Sequence, residues 1–139
     1  MREILFRGKS VNTGEWVYGS FCMDACEQIN GLCGVDGFIR VYGKAEGKMQ
    51  MHEVDRDTVG QYTGLTDKNG KKIFEGDIIE WFLLEVSEYP SIAYIEYDEE
   101  SFAWRVCWQE YDPDWLEGLN KEYISVIGNI HDNPAMLER

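Results

Sequence analysis

The sequence predicts a mainly β protein of the α+β class, in which an N-terminal β subdomain is followed by a small C-terminal β-barrel. Short segments rich in branched and aromatic side chains recur along the chain, and clusters of Gly, Asn and Asp separate them. The 44% hydrophobic content, with 14% aromatic residues, is enough for a packed core in 139 residues. We therefore expect an ordered, strand-rich domain rather than a disordered or helical chain.

The N-terminal subdomain is predicted to span residues 1–57. Its expected strands are 3–7, ending at Gly8, then 15–21, 37–43 and 49–54. The sequence Asn12-Thr13-Gly14 is typical of the turn that joins the first two strands into a hairpin. Residues 22–36 contain small residues and three cysteines, so we expect a loop there.

The segment 61–81 carries the strongest local folding signal. Asp67-Lys68-Asn69-Gly70 predicts a reversal, because Asp favours the first turn position and Asn-Gly tolerates the positive φ of tight hairpins. Glu75-Gly76-Asp77 predicts a second turn, and the apolar residues 78–84 predict a largely buried strand.

The C-terminal subdomain is predicted to span residues 58–139. Its strands are expected at 78–84, 92–97, 102–108 and 123–127, which together with a short return suit a five-stranded barrel. Residues 85–90 read as a loop and 110–121 as an exposed excursion. Asn133 resembles an N-cap, with Pro134 in the first position of a single helical turn.

Four segments of the chain resemble one protein family. They are REILFRGK, NTGEWVYG, QYTGLTDKNGKKIFEGDI and VIGNIHDNP, in order between Arg2 and Pro134. This pattern resembles the YopX family of phage and prophage proteins. The resemblance implies a small, mainly β protein with an SH3-like barrel in its C-terminal part, made in the cytoplasm of a bacterium that carries the phage. It implies no catalytic residues. The intervening segments 22–40 and 82–123 match less clearly.

The charge of the chain is strongly negative and uneven. The net charge is −13; residues 85–122 hold 11 acids against Arg105 and Lys121 alone. Such a balance opposes direct binding to nucleic acid, which depends on Lys and Arg. No apolar run reaches the roughly 18 residues of a membrane helix, and the start is no signal peptide, so we expect a cytoplasmic protein without membrane contact.

Neither a metal site nor a catalytic site is predicted, and no cofactor is expected. Cys22, Cys26 and Cys33 do not have the spacing of a zinc motif, and Cys107 lies among aromatic residues, so reduced structural thiols are expected. The acidic cluster around His52 lacks the glycine and distal glutamate of a calcium loop and reads as a solvated turn. We therefore expect a protein that is not an enzyme.

The candidate binding surface is the acidic, aromatic excursion near the C-terminus. Its residues are Trp108, Tyr111, Asp112, Asp114 and Trp115. Exposed aromatic side chains are typical anchors of protein interfaces, although the same residues could instead fold back over the end of the barrel as a lid. Two hypotheses follow: a protein-binding or adaptor module, with a partner protein or self-association, and a nucleic-acid-associated or DNA-mimicking protein of phage DNA metabolism.

Overall fold

The fold is mainly β, as the sequence predicts. A computed structural model describes residues 2–22, 38–43 and 48–138, which form ten strands and three single-turn 3₁₀ helices. The strands are β1 (Phe6–Ser10), β2 (Trp16–Cys22), β3 (Phe38–Gly43), β4 (Lys48–Thr66), β5 (Lys72–Phe74), β6 (Asp77–Trp81), β7 (Ser91–Asp98), β8 (Ala103–Trp108), β9 (Asp114–Trp115) and β10 (Ile124–Asn129). The 3₁₀ helices are Leu116–Gly118, Lys121–Tyr123 and Pro134–Leu137. No helix among the described residues is long and apolar enough to cross a membrane.

The strands form two antiparallel sheets, and the chain divides into two compact units, 1–62 and 63–139. The first sheet has the order β1-β2-β3-β4-β5, with a further pairing of β1 with β4. The second has the order β10-β6-β7-β8-β9. The predicted boundary after residue 57 stands within β4, which is one continuous strand through residue 66.

In the first unit, β1 continues through the glycine where we expected it to end. Gly8 lies opposite Val17, and a Cβ at Gly8 would lie only 3.0 Å from Val54 Cβ, so the missing side chain leaves room for the buried Val54. The predicted hairpin of the first two strands is confirmed by the pairing of β1 with β2. The predicted loop lies outside the described residues, apart from Cys22 at the end of β2.

The acidic cluster near His52 lies on β4, so the prediction of a turn there is wrong. The pairing of β1 with β4 shifts register between Arg7 and Lys9, which face Gly60 and Asp55. Extra β4 residues therefore form a bulge, and Thr58 Oγ1 closes it by accepting from Lys9 N at 2.9 Å. The bulge accommodates the polar residues of the acidic cluster, and β4 continues beyond them.

The core of the second unit is a cluster of fully buried side chains. Five of them share one face of the second sheet, namely Ile79, Ala93, Ile95, Val106 and Ile124. Ile73 of β5 and Leu116 of the first 3₁₀ helix complete the cluster. The described strands have β10 and β9 at the two ends of the sheet order, so the predicted closure into an SH3-like barrel is not confirmed. The predicted strand 78–84 stops at Trp81, because its partners β7 and β10 also stop pairing there.

Polar residues of the family-like segments form the turns of this unit. The hairpin predicted at Asn69-Gly70 is confirmed: it joins β4 to β5, and Gly70 has a φ of 78°. Asp67 accepts hydrogen bonds on Oδ1 from Asn69 N at 2.8 Å and Lys71 N at 2.9 Å, and on Oδ2 from Val126 N at 3.0 Å. The buried Asp67 thus ties the hairpin to β10.

The closing motif makes a similar turn. Asn129 Oδ1 accepts from His131 N at 3.0 Å and Asp132 N at 2.9 Å. Pro134 begins the last 3₁₀ helix as predicted, but Asn133 is not a side-chain cap of that helix. Its Oδ1 instead accepts from Asn129 N at 3.2 Å, which holds the turn against the end of β10.

Candidate functional site

Two adjoining hollows in the second unit form a surface groove. Each has a volume of about 370 Å³, and Ser87, Ser91 and Tyr111 line both. The first hollow is also lined by Trp81, Val86, Trp108, Asp114 and Leu119. The second is also lined by Tyr89, Pro90, Ile92, Gln109 and Glu110. We call the two hollows together the Tyr111 groove.

The groove lies where the strands β6, β7 and β8 stop pairing. Trp81 ends β6, Ser91 begins β7 opposite it, and Trp108 ends β8 opposite Ala93. The chain leaves the sheet at this end in two irregular segments, 82–90 and 109–113, which carry most of the remaining lining. The rigid sheet therefore fixes the floor of the groove, whereas irregular segments provide its walls.

One aromatic side chain connects the groove to the core. Trp108 is partly buried against the hydrophobic cluster, and its Nε1 donates to Asp114 Oδ2 at 2.8 Å. Asp114 is held in place by β9, where it pairs with Val106. The next residue but one, Leu116, is fully buried. The buried Leu116 thus anchors the excursion to the core. Asp114, two residues earlier, keeps an exposed carboxylate beside the Trp108 ring.

Several large apolar side chains of the irregular segments remain exposed. The exposed fractions are 65% for Tyr111, 75% for Tyr89 and 67% for Val86, all three of which line the groove. Such grouping of exposed aromatic and aliphatic side chains is more typical of a binding surface than of scattered surface residues.

The structure brings together three of the five predicted site residues. Trp108, Tyr111 and Asp114 line the first hollow. Trp115 does not line it: in β9 it lies opposite Arg105, whereas Asp114 lies opposite Val106. Because neighbouring residues of a strand point to opposite faces, Trp115 lies on the other side of the sheet. Asp112 is exposed beside the groove and is not part of its lining.

Sequence reasoning missed the segment that forms the facing wall. Val86, Ser87 and Tyr89 belong to residues 85–90, for which the sequence predicts only a loop. The available signal was the one applied to the excursion, namely a large apolar residue in a polar, acidic, proline-containing segment. Tyr89-Pro90, flanked by Glu88, has that character.

A second polar group lies on the opposite face of β7 and β8 and is structural. Arg105 forms an ion pair with Glu96, and this hydrogen bond, despite partial burial, holds the Glu96 pKa below its ordinary value. Burial raises the pKa of the Cys107 thiol, and its contact with Glu96 Oε2 at 3.3 Å raises it further. A thiol that stays protonated at neutral pH is a weak nucleophile.

The described residues contain no group of three or more His, Cys, Asp and Glu side chains arranged to hold a metal ion. Cys26 and Cys33 lie outside the described part of the chain, as does the side chain of Cys22. Cys107 is a free, buried cysteine.

The family model described as YopX protein matches residues 5–138. The chain belongs to the YopX family. The crystal structure of protein EF1440 from Enterococcus faecalis is similar to this YopX-family chain, with 25% identity over 99% of each chain and a TM-score of 0.53. Comparison with curated proteins gives no match. The family resemblance is therefore confirmed along nearly the whole length.

Proposed function

We propose that this YopX-family chain is a non-enzymatic phage or prophage protein that acts as a protein-binding or adaptor module in the cytoplasm of its host. Its partner is a basic protein, which docks on the Tyr111 groove. We further propose that residues 63–139, in which a five-stranded antiparallel sheet packs around one core, are a variant of the SH3-like arrangement that the family resemblance implies. The observation that carries the proposal is the exposed aromatic groove within the most acidic part of the chain.

The exposure of Tyr111 supports a binding role. A tyrosine offers a large contact area with few rotatable bonds, so its burial on binding contributes much free energy for little entropy loss. At 65% exposure it contributes little to folding, and the sheet and Leu116 already hold the segments around it. Exposed apolar side chains on a fixed support are what a preformed interface provides.

The charge around the groove supports a basic partner. Glu110 lines the second hollow and Glu88 is exposed beside it. Arg105, one of two bases in residues 85–122, is already paired with Glu96. Such a field attracts a cationic protein and raises its association rate, whereas it repels the phosphates of DNA. This is why we prefer a protein partner to nucleic acid.

The roles of the family-like motifs support a function without catalysis. The Asp67 carboxylate and the Asn129 side chain are engaged by backbone groups of turns. Residues that hold backbone turns are not available to a substrate. We therefore place the function in the less family-like segment 82–123, which carries most of the groove.

The test is capture of partners from host lysate, with and without the phage, by the wild-type protein and two variants. We expect Tyr111→Ala to weaken binding of a specific basic protein by about 2 kcal/mol, roughly thirtyfold in Kd. Phe102→Ala is the matched control, because Phe102 is also exposed but lies at the other end of the β7–β8 hairpin.

Two results would contradict the proposal. Equal capture by all three proteins would exclude the groove as the interface. A partner that depends on the acids of residues 98–100 and not on Tyr111 would favour the alternative of an acidic DNA mimic. Sedimentation of the same variants checks self-association: a wild-type dimer that Tyr111→Ala converts to a monomer would replace the basic partner by a second copy of the chain.

A further inference from the structure

The first hollow of the Tyr111 groove presents one carboxylate among aromatic rings. Asp114 Oδ2 is engaged by Trp108 Nε1, whereas the described residues offer no hydrogen bond to Oδ1. The Trp81, Trp108 and Tyr111 rings line the same hollow. A fixed anionic oxygen next to aromatic faces is a combination that suits a planar cation.

We propose that the groove binds an extended basic peptide segment of the partner, and that an arginine side chain of this segment occupies the hollow between Trp108, Tyr111 and Asp114. This inference rests on the proposed function and gives the chemistry of its partner. The guanidinium donates to Asp114 Oδ1 and stacks on an aromatic ring, while the neighbouring residues of the peptide cross Tyr111 into the second hollow.

Arginine suits the hollow better than lysine. Its guanidinium is planar, more weakly hydrated than an ammonium, and able to stack on a ring while donating sideways to a carboxylate. The hollow offers one carboxylate oxygen and several aromatic and aliphatic surfaces, including Val86 and Leu119. A lysine ammonium would have to lose its hydration in exchange for fewer hydrogen bonds.

The shape of the groove favours an extended segment. Two hollows of about 370 Å³ each are joined along Ser87, Ser91 and Tyr111, and each has room for one or two side chains. In an extended peptide, alternate side chains on one face are roughly 7 Å apart, a separation that suits two adjoining hollows. Gln109 and Glu110 in the second hollow add hydrogen-bonding groups for the peptide backbone or a second basic residue.

The test uses defined peptides in place of the unidentified partner. A fluorescein-labelled peptide of four Ala-Arg repeats is titrated with the protein, in parallel with the Ala-Lys and Ala-Glu repeats of the same length. We expect the arginine peptide to bind about threefold or more tightly than the lysine peptide, from stacking alone. The glutamate peptide should not bind.

Asp114→Asn isolates the carboxylate, because the amide oxygen can still accept from Trp108 Nε1. We expect this variant to bind the arginine peptide at least about tenfold more weakly, as for loss of a charge-assisted hydrogen bond. The double substitution Glu99→Gln, Glu100→Gln removes two exposed charges at the distant end of the β7–β8 hairpin and should change the Kd less than about twofold. The indole N–H resonance of Trp108, assigned by Trp108→Phe, should shift when the arginine peptide is added.

Two outcomes would overturn the inference. If Asp114→Asn and the distant double variant weaken binding equally, the peptide responds to overall charge and not to this hollow. If no arginine peptide binds and the Trp108 indole resonance does not move, the hollow does not hold arginine. In either case loss of a lysate partner on Tyr111→Ala would leave the proposed function standing, so the two can fail separately.

Discussion

The carboxylate of Asp67 provides the sharpest test of how the second unit is held together. Its three backbone partners, Asn69, Lys71 and Val126, lie in the β4–β5 turn and on β10. Burial works against the charged form of Asp67, but the hydrogen bonds from these three N–H groups and the charge of Lys71 outweigh burial and hold its pKa below the ordinary value. The ionised carboxylate is therefore a structural group.

Asp67→Asn keeps the size of the side chain and one oxygen. With that oxygen in the Oδ1 position, the bonds from Asn69 and Lys71 survive, but an NH₂ group faces Val126 N. The variant loses one charge-assisted hydrogen bond and leaves two donors opposed in a buried site, which costs about 2–3 kcal/mol. Asp112→Asn is the control, because Asp112 is exposed and should change stability by less than about 0.5 kcal/mol.

The pH dependence separates this mechanism from a general loss of packing. A carboxylate whose pKa is lowered by folding stabilises the protein fully above its unfolded pKa of about 3.9, and this contribution is lost as the pH falls through the folded value. Urea unfolding of the wild type and of Asp67→Asn is followed by tryptophan fluorescence. Their free energies of unfolding should differ by the full amount at pH 7, and the difference should shrink progressively below about pH 4. A constant difference across this range, or a variant as stable as Asp112→Asn, would refute the role of the charge.

Further predictions concern strain, packing and metal. Gly70→Val should lower the free energy of unfolding by about 1 kcal/mol or more, because Gly70 has a φ of 78°. The control is Gly118→Val, which should lower it less, because Gly118 has open space around it and no positive φ. Equal melting temperatures of the two variants would contradict this prediction. Phe102→Gly should be about 1 kcal/mol more stable than Phe102→Ala, because the residue is 80% exposed and its φ of 54° strains any residue other than glycine. A melting temperature of Phe102→Gly below that of Phe102→Ala would exclude such strain. Trp115→Ala should lower the free energy of unfolding by about 1 kcal/mol, because Trp115 is 42% exposed, whereas Leu116→Ala should lower it by about 3 kcal/mol. The reverse order in urea unfolding would favour the lid hypothesis for Trp115. Elemental analysis of protein purified without chelators should find less than about one zinc per several chains, and stoichiometric zinc lost on Cys→Ser substitution would overturn the prediction of structural thiols at Cys22, Cys26 and Cys33.

Most strands could be predicted because their signals are local. Branched and aromatic residues between turn residues gave β3, β7 and β8 within about a residue of their observed ends, and Asn69-Gly70 gave the central hairpin. Strand ends that depend on a partner were predicted less well. Residues 82–84 continue the apolar run of β6 but lie beyond its pairing with β7 and β10, so no local property marks the stop at Trp81.

The candidate site was predicted in part, for a related reason. An aromatic residue in an acidic segment is visible in the sequence, and Trp108, Tyr111 and Asp114 were found this way. Trp115 lies on the face of the sheet away from the groove because of how β9 pairs with β8. A strand of two residues has no periodicity from which the sequence could predict this face. Likewise, the wall formed by residues 86–89 exists because β6 ends, β7 begins and β8 ends at the same edge of the sheet.

The sequence by itself therefore determined the class of the protein, its turns and its family, since each of these depends on residues that are neighbours along the chain. It also determined the acidity around the groove, which is a matter of composition. The tertiary structure decided which residues come together: Asp67 is bonded to β10, Leu116 is packed in the core, and Val86 and Tyr89 line hollows that Tyr111 also lines. Those contacts join residues up to 59 positions apart, and only strand pairing and burial in a shared core bring them within reach.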